Sequence, residues 1–253
     1  MAIVESKWAA VPPTLCLPDD EIHLWRAALD HPAIHVERVA AVLSVDERNR
    51  AERFYFDQDR RRFIVGRGLL RMILGRYMSV EPRRLEFCYG PHGKPALVET
   101  AGTWSPRFNV SHSDGLALYA VTHRQELGVD VERIRPIADV GAIADRFFSA
   151  EENAVLHAVP PSRKIEAFFT CWTRKEAYIK ATGDGLSLPL DQFDVSLAPG
   201  ASSALLSIRG APGAATGWLL RDLALGPEYV AALAVEGHGW HFQYWQWADG
   251  VTR

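Results

Sequence analysis

The sequence lacks most of the features that would carry a chain out of the cytosol or give it a ready-made phosphate site. Its three cysteines, Cys16, Cys88 and Cys171, lie far apart and in no C-x-x-C spacing, so neither a disulfide framework nor a zinc site is expected. No apolar run approaches the roughly 18 residues of a membrane helix. The stretch "MAIVESKWAAVPPTL" has no basic segment followed by an apolar one, so no leader is expected. Charge of one sign is not in excess. The 28 Lys+Arg against 31 Asp+Glu leave a net charge of −3, which argues against nucleic acid or anionic lipid as partner. The usual phosphate loops are absent as well: there is no G-x-x-x-x-G-K-[ST] and no G-x-G-x-x-G after a strand, and no G-x-S-x-G elbow. A soluble cytoplasmic protein is the expectation.

What the chain does have is core material, with 48% hydrophobic residues in 253, and clear helix punctuation. Ser44 and Glu47 form an S-x-x-E capping box, and Ser149 and Glu152 form another. A helix is expected through "QDRRRFIVGRGLLRMILGRYM", and a second from about Ser162 to a stop at Gly183. "LEFCYGPHGKPAL" reads as a strand broken by turn residues, with Lys94 on the loop. "FNVSH", "GLALYAVT" and "LGVDVERI" read as three short strands in an antiparallel meander. "LPLDQFDVSL", "YVAALAVEG" and "WHFQYWQW" are strand-like. Each half therefore offers a long helix followed by paired apolar strands, and "ALYAVTH" faintly matches "AALAVEGH". The expectation is an α+β fold built as a duplication, with a cleft at the seam between its halves.

The candidate chemistry starts from Glu176. At 100° per residue, Ile165, Phe168, Phe169, Trp172 and Ile179 form one apolar stripe, and Glu176 falls near its centre. A carboxylate buried there needs a cation or a metal. In "LGVDVERI" the strand period turns Asp130 and Glu132 to one face and Val129 and Val131 to the other. Asp130, Glu132 and Glu176 together make a hard-oxygen set with room for water and phosphate oxygens, which suits Mg²⁺ better than Ca²⁺; a salt bridge from Glu176 to an arginine is the competing reading. Lys180 lies one turn beyond Glu176, within reach of a phosphate. Trp172 is read as a packing wall. Ser111 and His112 close a strand beside a turn and could donate to phosphate, with Arg50, Arg62 and Lys94 as further anion contacts.

The ordered blocks "GKP", "FNVSHS", "GVDVE", "RFFSAEE" and "WTRKEAYIKATGDGLSLPL" resemble the Sfp-type 4′-phosphopantetheinyl transferases. The resemblance implies a pseudo-twofold fold, with coenzyme A bound at the seam and Mg²⁺, or Mn²⁺ in its place, on the pyrophosphate. It divides the chain into residues 1–123, on the 3′-phosphate side, and 124–253, with the metal ligands and the catalytic helix. By motif position it makes Asp130, Glu132 and Glu176 the metal ligands. Lys180, Ser111, His112 and Lys94 become contacts to the coenzyme's phosphates, and Arg50 and Arg62 contacts to the 3′-phosphate. Glu47 stands close to that subsite, near where relatives often place lysine. Glu176 is the candidate base, Lys180 a candidate acid, and Glu152 a second candidate base that also completes the Ser149 capping box. The implied reaction transfers the phosphopantetheine arm of coenzyme A to a serine of an acyl or peptidyl carrier protein, with release of 3′,5′-ADP, by a monomeric enzyme. Two other readings use the same residues: a Mg²⁺-dependent phosphohydrolase with water as nucleophile, and a coenzyme A sensor without catalysis.

Overall fold

The computed structural model describes residues 7–99 and 104–248; the first six residues of the N-terminal stretch read for a leader lie outside them. After a short strand β1 (Ala9–Ala10), one order of elements occurs twice. The first unit runs β2 (Glu21–Ala28), α1 (Ala33–Ala40), α2 (Val45–Ala51), α3 (Asp57–Met78), the hairpin β3 (Phe87–Tyr89) and β4 (Pro95–Leu97), then β5 (Arg107–Ser113) and β6 (Leu116–Thr122). The second runs β7 (Leu127–Arg133), α4 (Val140–Phe147), α5 (Ala150–Ala158), α6 (Pro161–Thr182), the pair β8 (Phe193–Val195) and β9 (Leu205–Ile208), then β10 (Trp218–Asp222) and β11 (Tyr229–Glu236). Pairing repeats with order: β6 lies antiparallel between β2 and β5, and β11 lies antiparallel between β7 and β10. The duplication expected from the sequence is therefore present in the topology, and "ALYAVTH" and "AALAVEGH" fall on the two equivalent central strands.

The helices start and stop where local chemistry tells them to. Both capping boxes are complete, the serine accepting from the N3 amide and the glutamate reaching back to the cap amide, at the heads of α2 and α5. Both long helices end in a left-handed residue, Ser79 at φ 53° and Gly183 at φ 79°. The two units even share a buried ion pair. Glu47 of the first capping box meets Arg71 at 2.6 Å, and Glu152 of the second meets Lys175 at 2.7 Å. Arg71 and Lys175 stand at the same distance from the start of α3 and α6. Each then donates to two carbonyls of the segment that follows its helix, Pro82 and Leu85 in one unit and Leu190 and Phe193 in the other.

Four layers result. Leu70, Ile73 and Leu74 of α3 cluster with Trp25, Tyr119 and Val121 of the first sheet. The other face of that sheet, with Ile22, Leu24 and Leu118, clusters with Val129, Val131 and Leu233 of the second. On the far side Phe169, Ala177 and Ile179 of α6 join Ala232 and Ala234 of β11. Each fully buried Leu, Ile, Val or Phe contributes about 1.5–3 kcal/mol, and the three clusters are the main favourable term.

Two departures from the sequence reading bear on the site. The three-strand meander does not form, because β7 pairs with β11 and opens the second unit. Its valines meet Leu118 and Ala120 face to face instead of edge to edge. The last described strand, β12 (His241–Gln246), crosses back and pairs in parallel with β2 and β1. The sheet of the first unit thus holds a strand from the chain's end, and chain order and spatial halves part company there.

Candidate active site

The site lies where α6 crosses β7 and β5 runs alongside. Asp130 and Glu132 face α6, as the strand period requires, while Val129 and Val131 enter the core between the sheets. Gly128 makes the crossing close. A β-carbon there would overlap the carbonyl oxygen of Ala177 and the amide nitrogen of Ala181, so only glycine lets the helix lie this near the strand. The close approach brings Glu176 and Lys180, one turn apart on α6, over Asp130.

Lys180 Nζ donates to Asp130 Oδ1 at 2.6 Å, to Ser111 Oγ at 3.1 Å and to the Val129 carbonyl at 3.3 Å. Ser111 in turn donates to Asp130 Oδ1 at 2.8 Å, and Ser113 donates to Glu132 Oε2 at 2.8 Å. Asp130 is 4% exposed, and its Oδ2 is buried without a hydrogen-bond partner among the described residues. Glu132 titrates above the ordinary carboxyl value, chiefly from desolvation and further from the charge of Asp130, against the opposing hydrogen bond from Ser113. Glu176 is raised too, first by desolvation and then by Asp130 and Glu132, with Lys180 pulling the other way.

Three carboxylates in mutual repulsion fit a hard divalent cation. The orphaned Asp130 Oδ2 is a ligand atom with no other use, and a cation would relieve what raises Glu132 and Glu176. Among the described residues no three His, Cys, Asp or Glu side chains are drawn in around one metal position. Lys180 and the two serine hydroxyls take carboxylate oxygens instead.

The remaining candidates divide between places. His112 is solvent-exposed at the edge of the cluster, yet surrounded by enough protein that desolvation lowers it, followed by the Lys180 and Arg62 cations. Arg62 forks onto Asp30 at 2.8 and 2.9 Å and lies 3.6 Å from Asp114, in the turn just after Ser113. Lys94 bridges the seam from the first unit, donating to Glu126 at 2.7 Å and to the Leu127 carbonyl at 3.2 Å. It lines a cleft of about 250 Å³ with Pro91, Arg107 and Gly183. Arg50 stands apart from these. It lies over the Phe63 ring at 5.3 Å and lines a cavity of about 1,110 Å³ together with Arg53, Arg83, Arg84 and Tyr89. Glu47, beside that cavity, is neutralised from within by Arg67 at 2.5 Å and Arg71 at 2.6 Å.

Glu152 is not brought to the cluster. It is 2% exposed, and its carboxylate is spent on Lys175, the Ser149 amide and the Val195 amide. Its counterpart Glu47 does the same work in the other unit, which marks the arrangement as architectural. Trp172 packs on Phe147 and Phe168, as a wall. Sequence reasoning passed over Asn109 and Ser113, although "FNVSHS" places Asn109, Ser111 and Ser113 on one strand face at period two. It also passed over the need for glycine at 128.

The chain matches two family profiles. One, the 4′-phosphopantetheinyl transferase superfamily, spans residues 126–234; the other, 4′-phosphopantetheinyl transferase, N-terminal, spans 23–124. Among curated proteins it is similar to the 4′-phosphopantetheinyl transferase HetI of a Nostoc species, 42% identical over 97% of this chain and 100% of that one. It is also similar to the 4′-phosphopantetheinyl transferase Sfp of Bacillus subtilis, 34% identical over 64% of this chain and 69% of that one.

Proposed function

Since the chain belongs to the 4′-phosphopantetheinyl transferase superfamily, we propose how its seam carries out that family's reaction. The enzyme moves the 4′-phosphopantetheine arm of coenzyme A onto a serine of a carrier protein, leaving holo-carrier and 3′,5′-ADP. A bond forms between the serine oxygen and the β-phosphorus, and the bond from that phosphorus to the leaving 3′,5′-ADP oxygen breaks. The protein's part is positioning and charge compensation.

In this reading Asp130, Glu132 and Glu176 hold Mg²⁺, with Mn²⁺ as a substitute. When bound, the ion neutralises the pyrophosphate and polarises the phosphorus under attack. Lys180 leaves Asp130 for a phosphate oxygen and stabilises the charge that develops on it. Glu176, kept as a carboxylate by the ion, takes the serine proton directly or through one water. Ser111, His112 and Lys94 bind the phosphates from the first unit; Arg62 and Arg50 serve the 3′-phosphate, Arg50 from the basic cavity. The halves 1–123 and 124–253 then divide the labour, nucleotide end against metal and catalytic helix. The acceptor is an acyl or peptidyl carrier protein. The enzyme is a monomer, because two units in one chain already complete the seam, and works in the cytoplasm; among the described residues no helix is long and apolar enough to cross a membrane.

One observation supports the site assignment: Asp130 Oδ2, buried and without a partner among the described residues, beside two carboxyls raised first by desolvation and then by the charge of Asp130. The test is intact mass of an apo carrier protein incubated with this protein, coenzyme A and Mg²⁺. The expected result is a gain of one phosphopantetheine that a chelator abolishes. Transfer undiminished by the chelator would remove the metal, and release of phosphopantetheine into solution without a carrier would favour a hydrolase.

A further inference from the structure

β5 and β7 belong to different sheets and share no backbone ladder, since β5 pairs with β6 and β7 with β11. They run side by side all the same, joined by side chains. The amides of Val129, Val131 and Arg133 donate in turn to Asn109 Oδ1 at 2.9 Å, Ser111 Oγ at 3.3 Å and Ser113 Oγ at 3.1 Å. Every second residue of β5 thus replaces a strand carbonyl with a short polar side chain. The two serines differ from the asparagine in one respect. A hydroxyl that accepts an N–H still has its own proton to give, and both serines give it to a carboxylate of β7: Ser111 to Asp130 and Ser113 to Glu132, each at 2.8 Å.

Ser111 also receives Lys180 and belongs to the phosphate-binding set proposed above. Ser113 does not. It is 6% exposed, and its hydroxyl's partners are the Glu132 carboxylate and the Arg133 amide, both on the opposite unit. We propose that Ser113 is a positioning residue: a group of the first unit that fixes the orientation of Glu132 on the second, so that the carboxylate set takes its ion-binding arrangement only when the seam is closed. The inference rests on the reading of Asp130, Glu132 and Glu176 as metal ligands. It assigns a role in that site to a residue that touches neither the ion nor the substrate.

The test is Mn²⁺ binding to the full chain without coenzyme A or carrier, read by electron paramagnetic resonance or calorimetry, with a thermal melt of each variant. Ser113→Ala is expected to weaken Mn²⁺ binding about tenfold, as removal of a partner that orients a metal ligand does. Asn109→Ala removes a seam acceptor without touching a carboxylate; it should lower the melting temperature and leave Mn²⁺ affinity unchanged. Ser113→Thr keeps the hydroxyl and should hold Mn²⁺ like the wild type. If the alanine variant does not fold, Ser113→Cys, similar in size and a weaker donor, should show a smaller loss in the same direction. Equal weakening by Asn109→Ala and Ser113→Ala would reduce the serine to seam adhesion and overturn the proposal, as would unchanged affinity in Ser113→Ala or weak binding by Ser113→Thr. Absence of Mn²⁺ binding by the wild type is a different outcome: it overturns the metal reading, and the role of Ser113 with it.

Discussion

Glu152 and Glu176 have opposite parts in the proposed mechanism, one structural and one chemical, and replacing each by glutamine separates stability from chemistry. Lys175 is 0% exposed and Glu152 2%, so the pair sits in the low-dielectric interior, where each charge depends on the other. Every oxygen of Glu152 is in use: Oε2 receives Lys175 at 2.7 Å and the Ser149 amide at 2.9 Å, and Oε1 receives the Val195 amide at 2.8 Å. Glutamine replaces one acceptor by an NH₂ and leaves the ammonium without its counter-charge, beside the Leu190 and Phe193 carbonyls and the Phe193 ring. Breaking a buried pair from one side costs roughly 3–5 kcal/mol, which for a chain of this size lowers the melting temperature by about 6–20 °C. At a temperature where the variant stays folded, its transfer rate should match the wild type. Glu47→Gln, facing Arg71 and Arg67 in the equivalent place, should behave the same way. Glu176→Gln should do the reverse. It removes a carboxyl raised by desolvation and by Asp130 and Glu132, so the ion-free protein should melt no lower than the wild type, while transfer falls by about a hundredfold or more. Thermal melts beside rates of carrier modification by mass decide it. An unchanged melting temperature in Glu152→Gln with a hundredfold loss of transfer would refute the argument from duplication and return Glu152 to the chemistry.

Three further outcomes follow from particular contacts. Gly128→Ala must push α6 off β7, since its β-carbon overlaps the Ala177 and Ala181 backbone; a displacement near 1 Å costs on the order of 10²-fold in rate, and a kcat equal to the wild type's would contradict it. Because Glu132 and Glu176 are raised above 4.5, the folded chain keeps protons that the unfolded chain has lost, so stability falls as pH rises from 4.5 through the raised values. Added Mg²⁺ should therefore raise the melting temperature more at about pH 7 than at about pH 5, and an equal rise at both would contradict the site's electrostatics. His23, buried beside Tyr77 and Glu21, is lowered below 6.5, first by desolvation. Below 6.5 the unfolded state takes up a proton that the fold refuses, so stability drops as pH falls toward the lowered value. Urea titrations across that window should show a flatter acid limb in His23→Gln.

Much of this protein is written in short-range pattern. Capping boxes, the glycine stop at 183, the period of "LGVDVERI" and the stripe on α6 depend on residues within a turn or two of one another, and every residue needed to read them lies in the segment itself. The same holds for the motif blocks, which is why Asp130, Glu132, Glu176, Lys180, Ser111 and His112 stand out in the sequence as a candidate set, and why the repeated units could be matched from "ALYAVTH" and "AALAVEGH". Partner choice over long range was not legible. Nothing in β7 says that it pairs with β11 and meets β6 face to face, because an exposed strand edge offers the same donors and acceptors to any neighbour. The return of β12 to β2, the duty of Gly128 to a helix some fifty residues on, and the hydroxyl of Ser113 on Glu132 exist only once the layers are stacked. Glu152 shows the limit from the other side. Its sequence position already favoured a cap over a base, and its burial against Lys175, which also occupies its carboxylate, is created only by tertiary packing.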